Sequence, residues 1–177
     1  MLEIRKTSLS DIPALMGLIN AYASQEIMLP RTEFEMAENI RDFLGAFEEG
    51  RLVGCGALHF YTPTSGEVRS LAVEAGLKTR GIGRKLVEAL EAEARDQDLH
   101  AVFAFTYVPG FFRKLGFEEV DRGELPLKAW KDCLRCPKFQ ACDEIAMLKR
   151  LKAEAHVTPI RYPSELTEIV HLPVLRN

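Results

Sequence analysis

Residues 67–86 read EVRSLAVEAGLKTRGIGRKL and place a strand, a glycine-containing turn and a helix in succession. The strand is predicted over 67–73 and ends in Leu71-Ala72-Val73, and the turn is Lys78-Thr79-Arg80-Gly81-Ile82-Gly83. A helix is predicted from Gly81 to about Asp96, because apolar residues recur there at helical spacing. Its apolar face consists of Ile82, Leu86, Leu90 and Ala94. A strand that leads through glycines into a helix is typical of an α/β protein.

The turn has the chemistry of an anion site. The first amides of a helix lack partners within the helix, and the helix dipole adds partial positive charge there. Glycine also leaves room for a phosphate to approach the backbone. The cations around the turn are Lys78, Arg80, Arg84 and Lys85. A small polyanionic ligand is therefore predicted, and the alternative is that Gly81 and Gly83 only form a tight strand–helix turn.

Two common nucleotide motifs are excluded at this turn. The P-loop pattern Gly-x-x-x-x-Gly-Lys-Ser/Thr is absent from the chain. The dinucleotide pattern Gly-x-Gly-x-x-Gly fails because Leu86 stands where its last glycine is required. The predicted anion site therefore belongs to neither of these two motifs.

The flanking sequence extends the α/β pattern in both directions. Ser10 or Asp11 is predicted to cap a first helix, and Thr32 with Glu35 forms a capping box for a second. The predicted strands are 2–6, 43–48, 52–61, 67–73, 101–107, 116–120 and 146–151. The first predicted helix begins near residue 12, and the other three span 33–42, 81–96 and 111–115. The apolar run 101–107 predicts a strand that is buried on both faces. This order predicts one central sheet with helices around it.

The composition favours a single globular domain. The chain has 177 residues, of which 47% are hydrophobic and 28% are charged, as expected of a soluble protein. The net charge of −3 gives no bulk electrostatic case for nucleic acid or an anionic membrane as a partner. No apolar stretch is long enough for a signal peptide or a bilayer span, so we expect a cytoplasmic protein.

These motifs resemble the GNAT superfamily of N-acetyltransferases. The resemblance is carried by Leu71-Ala72-Val73, by Lys78-x-x-Gly81-x-Gly83, by the buried strand that follows, and by Phe111-Phe112-Arg113-Lys114-Leu115-Gly116-Phe117. It implies a central mixed, splayed sheet flanked by helices, with acetyl-CoA wedged between the strand ending at Val73 and the strand 101–107. The cofactor-binding residues it implies are Leu71, Ala72, Val73, Lys78, Thr79, Arg80, Gly81, Ile82, Gly83, Arg84 and Phe112. Main-chain groups of Leu71 and Val73 would pair with pantetheine, and amides of 80–84 would bind the pyrophosphate.

The chain departs from the superfamily pattern at two positions. Lys78 stands where Gln or Arg is usual, and Phe112 stands where a tyrosine often protonates the leaving thiolate. Tyr107 is the substitute candidate for this catalytic acid, and the alternative is an ordinary tyrosine at a strand end. A thiol with a pKa near ~8.5 can also leave without an acid.

Three further stretches are similar to the short, single-domain bacterial N-acetylglutamate synthases. They are Met28-Leu29-Pro30-Arg31-Thr32, residues 67–73, and residues 125–133 with 142–147. This similarity implies transfer of acetyl from acetyl-CoA to the α-amine of L-glutamate, the first step of arginine synthesis. We predict an acetyltransferase domain over 1–151, with a cysteine-containing insertion at about 124–143 and a C-terminal extension over 152–177.

Glutamate recognition and amine activation need particular side chains. Arginine suits carboxylates because its planar fork makes two parallel hydrogen bonds. Arg31, Arg69 and Lys128 are the substrate-binding candidates, and the alternative for each is a solvated surface cation. Glu67 is the candidate general base that takes a proton from the ammonium. Its alternative is an exposed strand carboxylate or a partner of Arg69.

The cysteine pattern leaves a metal site open but not favoured. Cys133-x-x-Cys136-x5-Cys142 gives three thiols, whereas a closed structural zinc site needs four ligands. Reduced thiols are the preferred interpretation. The competing functions are acetylation of another amine, an acyl-CoA-binding sensor with little catalysis, and a zinc knuckle that recruits nucleic acid or protein. The sequence is also compatible with a homodimer.

Overall fold

The computed structural model describes residues 1–125, 136, 138 and 141–153. The strands are β1 (Leu2–Lys6), β2 (Phe43–Glu48), β3 (Arg51–Thr62), β4 (Ser65–Val73), β5 (Ala101–Thr106), β6 (Glu118–Glu119) and β7 (Ile145–Arg150). The α-helices are α1 (Ile12–Ala23), α2 (Glu33–Glu38), α3 (Ile82–Asp96) and α4 (Pro109–Arg113). Short 3-10 turns span Leu9–Asp11, Ile40–Asp42, Ala75–Arg80 and Arg122–Glu124. The predicted insertion and C-terminal extension lie largely outside the described residues, so this division of the chain stays a prediction.

All seven strands belong to one mixed sheet that opens in the middle. Its order is β1-β2-β3-β4-β5-β7-β6, and every adjacent pair is antiparallel except β4 and β5. These two parallel strands pair only at Ser65 with Ala101, Gly66 with Val102, and Glu67 with Phe103. Beyond Glu67 the two strands separate, which confirms the predicted splayed sheet.

A β-bulge shifts the register of β4 next to this opening. Cys55 pairs with Ala72, whereas Ala57 pairs with Arg69, so β4 carries one extra residue between these two points. Ser70 lies in that segment with φ +52°, a conformation that non-glycine residues rarely adopt. The bulge resets the alternation of side chains along the rest of the strand.

Helices cover both faces of the sheet. On one face α3 buries Leu86, Val87 and Leu90 against a core that includes Val53 and Val68. On the other face α1 buries Leu15 and Ile19 against Phe43, Phe47 and Ala72. The strand β5 is buried along nearly its whole length, as predicted from its apolar run. These observations confirm the α/β architecture.

Two helix termini differ from the prediction. The capping box of Thr32 and Glu35 is present, but α2 ends at Glu38 and a separate 3-10 turn covers Ile40–Asp42. The helix breaks because Asn39 leaves helical geometry and its side chain donates to the Glu35 carbonyl at 2.8 Å. Asp11 stands at the N-cap position of α1 but makes no capping hydrogen bond there.

A partly buried ion pair joins β7 to α3. The Nζ of Lys149 lies 2.7 Å from both carboxylate oxygens of Glu91 and donates to the Leu115 carbonyl at 2.7 Å. Since Leu115 follows α4, one ammonium joins three elements. Within the described ranges, no helix is both long and apolar enough to cross a membrane.

Candidate functional site

The glycine turn lies where β4 meets α3. Residues Ala75–Arg80 form the 3-10 turn, and Gly81 follows with φ +76° and ψ +8° before α3 begins at Ile82. Because side chains disfavour this left-handed geometry, glycine is favoured at position 81. At Gly83 an added Cβ would lie 3.5 Å from the Phe111 ring and 3.7 Å from Val73. Gly83 itself therefore adds no side-chain atom on the side that faces Phe111 and Val73.

The cations around the turn are largely engaged with acidic or aromatic partners. Arg80 donates to both carboxylate oxygens of Glu48, at 2.9 and 2.7 Å, and this hydrogen bonding lowers the pKa of Glu48. Arg84 lies 3.6 Å from Glu88, one helical turn away. The Nζ of Lys78 lies 4.8 Å from the centre of the Tyr22 ring. The backbone amides of the first helical turn add further anion-binding groups beside these exposed cations and Lys85.

The apolar residues at the end of β4 form the walls of the opening. Leu71 and Val73 pack with the core under α3, whereas Ala72 is buried on the α1 side. The carbonyl of Val73 accepts a hydrogen bond from the Tyr22 hydroxyl at 2.5 Å. The sequence does not predict this contact, because Tyr22 lies on a different element 51 residues earlier.

Phe112 is a packing residue in the structure. Its buried ring stands edge-on to Phe111 at 5.2 Å and to Phe117 at 5.1 Å. It therefore contributes apolar contact beneath α4 and offers no proton.

Two predicted polar residues lie buried on the α1 face of β4. Glu67 is only 1% exposed, so the alternative of an exposed strand carboxylate was wrong, and its role as a base stays a prediction. It is the last β4 residue to pair with β5, at the point where the sheet opens. Arg69 is 7% exposed, and its Nη2 lies 3.4 Å from Asn39 Oδ1 and 3.7 Å from Asp42 Oδ2. A surface-cation interpretation of Arg69 was therefore also wrong.

A histidine completes this polar cluster. His59 pairs with Glu67 across β3 and β4, and its Nδ1 lies 2.6 Å from Asp42 Oδ2. The ring of Tyr61 stands edge-on to the His59 ring at 5.2 Å. Sequence analysis missed His59, Asp42 and Asn39, because the 3-10 turn after α2 brings two of them onto the sheet. The one sequence feature that could have pointed to this cluster is a histidine, His59, within a predicted strand.

The loop between α1 and α2 is tied to α1 at Arg31. The Asn20 side chain donates to the Arg31 carbonyl at 3.0 Å and accepts from the Arg31 amide at 2.9 Å. Arg31 itself is partly buried. Lys128, the third substrate-binding candidate, lies outside the described residues.

Tyr107 follows the last residue of β5. Burial raises the pKa of its phenol above the usual tyrosine range, and a hydrogen bond with Asp143 and the nearby charge of Glu144 act in the same direction. The Nζ of Lys138 lies 5.0 Å from the centre of the ring. The phenol is therefore protonated at neutral pH.

Two of the three clustered cysteines lie among the described residues. Cys136 and Cys142 are free thiols, and Cys133 lies outside the described residues. No group of three or more metal-ligating side chains occurs among the residues described here.

Comparisons with known proteins agree with this geometry. The model of the acetyltransferase (GNAT) family matches residues 13–117. An uncharacterized N-acetyltransferase from Chlorobaculum tepidum is 43% identical over 148 residues, which are 84% of this chain and 96% of the relative. The amino-acid acetyltransferase of Mycobacterium tuberculosis is 36% identical over 121 residues, covering 67% of this chain and 69% of the relative.

A solved structure shows the same fold with ligands bound. N-acetylglutamate synthase from Neisseria gonorrhoeae, complexed with coenzyme A and N-acetyl-glutamate, matches with a TM-score of 0.78 at 27% identity. The match covers 86% of this chain but only 35% of that longer protein.

Proposed function

Because this chain belongs to the acetyltransferase (GNAT) family and is an acetyl-CoA-dependent N-acetyltransferase, we propose that it acetylates the α-amine of L-glutamate. The product would be N-acetyl-L-glutamate, which places the reaction at the start of arginine biosynthesis, in the cytoplasm. The similarity to an amino-acid acetyltransferase supports an amino-acid acceptor. The Neisseria gonorrhoeae neighbour, complexed with N-acetyl-glutamate, supports glutamate in particular.

The observation that carries the proposal is the position of Glu67. This buried carboxylate lies at the last residue where β4 touches β5, so it stands at the base of the opening between the two strands. Burying a carboxylate costs free energy unless polar groups lie nearby, and His59 is its direct partner on β3 while Arg69 lies two residues along β4. A buried acid at the base of a cleft is suited to proton transfer.

The opening has the features that an acetyl-CoA molecule requires. Beyond Glu67, β4 and β5 no longer pair with each other, and Gly81 and Gly83 carry no Cβ at the start of α3. The amides of 81–84 would hold the pyrophosphate, and main-chain groups of Leu71 and Val73 would pair with the pantetheine arm. Acetyl-CoA supplies the acyl group in activated thioester form.

Glu67 prepares the acceptor for attack. An α-ammonium has no lone pair, so it must lose a proton before its nitrogen can act as a nucleophile. Glu67 accepts that proton, directly or through one water. Arg31 binds a glutamate carboxylate from the loop above, and Arg69 and Lys128 are the further cationic candidates.

Tyr107 contributes as a hydrogen-bond donor more than as an acid. Its pKa lies above the usual tyrosine value, whereas a thiol has a pKa near ~8.5, so full proton transfer to the departing sulfur runs uphill. Catalysis by proton donation from Tyr107 therefore stays a prediction. We assign the thiol proton to solvent.

The test is a coupled assay of thiol release with the intact chain. Thiol release from acetyl-CoA is measured with glutamate and with aspartate, glutamine, lysine and alanine as acceptors. We expect the largest kcat/KM with glutamate and a product of matching mass. A clear preference for a non-acidic amine would replace glutamate as the substrate, and acetyl-CoA binding without turnover would point to a sensor.

A further inference from the structure

Proton balance creates a problem at a buried base. The acceptor enters as an ammonium with three hydrogens on nitrogen and leaves as a secondary amide with one. One of the two lost protons ends on the thiol of coenzyme A, and the other must reach solvent. Glu67, which takes the first proton, is 1% exposed. Each turnover therefore needs a route from Glu67 to water.

His59 lies on such a route. It pairs with Glu67 across β3 and β4, and directly paired residues on adjacent strands point to the same face with Cβ atoms about 4.5–5.5 Å apart. The side chains of His59 and Asp42 are 16% and 23% exposed, so both contact solvent, whereas Glu67 does not. Asp42 lies on the 3-10 turn after α2, at the rim of the sheet.

Asp42 sets the orientation of the imidazole. Since a carboxylate only accepts hydrogen bonds, the Nδ1 of His59 carries a proton toward Asp42 Oδ2, 2.6 Å away. The neutral ring then keeps the lone pair on Nε2. This is the tautomer that a proton-accepting histidine needs.

We propose that His59, oriented by Asp42, relays the proton from Glu67 to solvent during each turnover. This inference rests on the proposed function, because it takes Glu67 as the base. The proton moves from the acceptor nitrogen to a Glu67 carboxylate oxygen and then to Nε2 of His59. The resulting imidazolium returns it to water. His59 does not contact the substrate, so it acts through Glu67.

The charges that face His59 permit this transient cation. Asp42 from the 3-10 turn and Glu67 from β4 are acidic, whereas Arg69 from β4 is basic. Tyr61, on the same strand as His59, presents the edge of an uncharged ring. The imidazole therefore lies between two carboxylates and one guanidinium, and the proton it receives stays within hydrogen-bond reach of acidic oxygens.

The experiment uses His59→Asn in the intact chain. Asparagine places an amide nitrogen near the position of Nδ1, so it keeps the hydrogen bond to Asp42 while removing Nε2. We expect kcat to fall about tenfold or more, which approaches the ~10²-fold contribution of a proton-transfer residue. The KM for acetyl-CoA should stay constant, and added imidazole should restore much of kcat. His100→Asn, outside the cluster, is the matched control and should behave as wild type.

The outcomes separate the relay from the base. A His59→Asn variant with wild-type kcat overturns the relay, and so does a lost kcat that imidazole fails to restore, because the role is then structural. If Glu67→Gln is impaired while His59→Asn is fully active, only the relay falls. If Glu67→Gln has full kcat, the base in the proposed function fails and the relay falls with it. These measurements use the amine on which the wild-type chain is most active.

Discussion

The side chain of Asn20 hydrogen-bonds both backbone polar groups of Arg31. Its Nδ2 donates to the carbonyl at 3.0 Å and its Oδ1 accepts from the amide at 2.9 Å. Since a residue of α1 holds the backbone near the end of the loop, the direction of the Arg31 side chain depends on α1. This connection allows the loop and the guanidinium to be tested separately.

Removing the Asn20 amide should loosen the loop without removing its charge. Two neutral hydrogen bonds are worth about 1 kcal/mol each, so we expect Asn20→Ala to raise the KM for the acceptor about fivefold or more. The KM for acetyl-CoA should change little, and steady-state kinetics with both substrates checks this. Gln25→Ala near the end of the same helix is the control, because its side chain bonds only the Ala21 carbonyl among the contacts described. Equal kinetics of both variants would show that the hydrogen bonds between Asn20 and Arg31 do not position the loop.

Arg31→Ala should remove a charged contact to the substrate. We expect kcat/KM for glutamate to fall by about 1.5–3 kcal/mol, the usual worth of a hydrogen bond to a charged group. The loss for an uncharged amino acid should be smaller, because no side-chain carboxylate is present to bind. Equal losses for both acceptors would instead indicate a collapsed loop.

The two glycines of the turn should respond differently to substitution. Gly83→Ala fits the folded chain, since its Cβ would make ordinary contacts with Phe111 and Val73. The added methyl would stand where the pyrophosphate approaches, and overpacking of roughly 1–3 kcal/mol should raise the acetyl-CoA KM about tenfold. Gly81→Ala should instead lower stability by about 1–2 kcal/mol, because φ is +76° there.

Thermal unfolding and coenzyme A titration separate these two effects. Gly17→Ala, with no atom within 4 Å of the added Cβ, serves as the control. A Gly83→Ala variant with wild-type affinity for coenzyme A would remove the turn from the binding site.

Lys149→Met should destabilise the protein by leaving Glu91 uncompensated. The side chains of Lys149 and Glu91 are 21% and 11% exposed, so we expect a loss of about 2–3 kcal/mol, below the ~3–5 kcal/mol of a fully buried pair. The double variant Lys149→Met/Glu91→Met should recover much of this loss, because it buries no unpaired charge. Urea unfolding of the single and double variants provides the measurement, and additive losses would argue against the pair.

Acid stability should depend on Asp11. The hydrogen bond from Arg5 lowers the pKa of Asp11 from 3.8 to about 2. Because the folded-state pKa is depressed, the stabilisation is fully present above pH ~4 and is lost as the pH falls through about 2. Asp11→Asn should cost about 1–2 kcal/mol at neutral pH and flatten the acid limb of the stability curve. Asp96→Asn should leave that limb unchanged, and an unaltered limb in Asp11→Asn would contradict the assignment.

Local patterns predicted the strand–turn–helix unit, because the apolar spacing around Val73 and Ile82 and the glycines between them lie within a few residues. The polar cluster could not be predicted from the sequence, because Arg69 and Asn39 are 30 residues apart and meet only where α2 ends early. That early end depends on one side chain, Asn39, competing with the helix backbone. The bulge at Ser70 was missed for a similar reason, because its positive φ reflects how β4 meets its neighbours.

The short contact between β4 and β5 divides the sheet into two groups of strands that meet along one short line. The larger group comprises β1 to β4 and the smaller one β5, β7 and β6, and they form ladder pairs with each other only along residues 65–67 and 101–103. Helix α3 packs on the first group, and the ion pair between Lys149 and Glu91 joins it to β7 in the second. The width of the cleft is therefore set by the angle between the two groups of strands, and the contacts of α3 with both groups fix that angle.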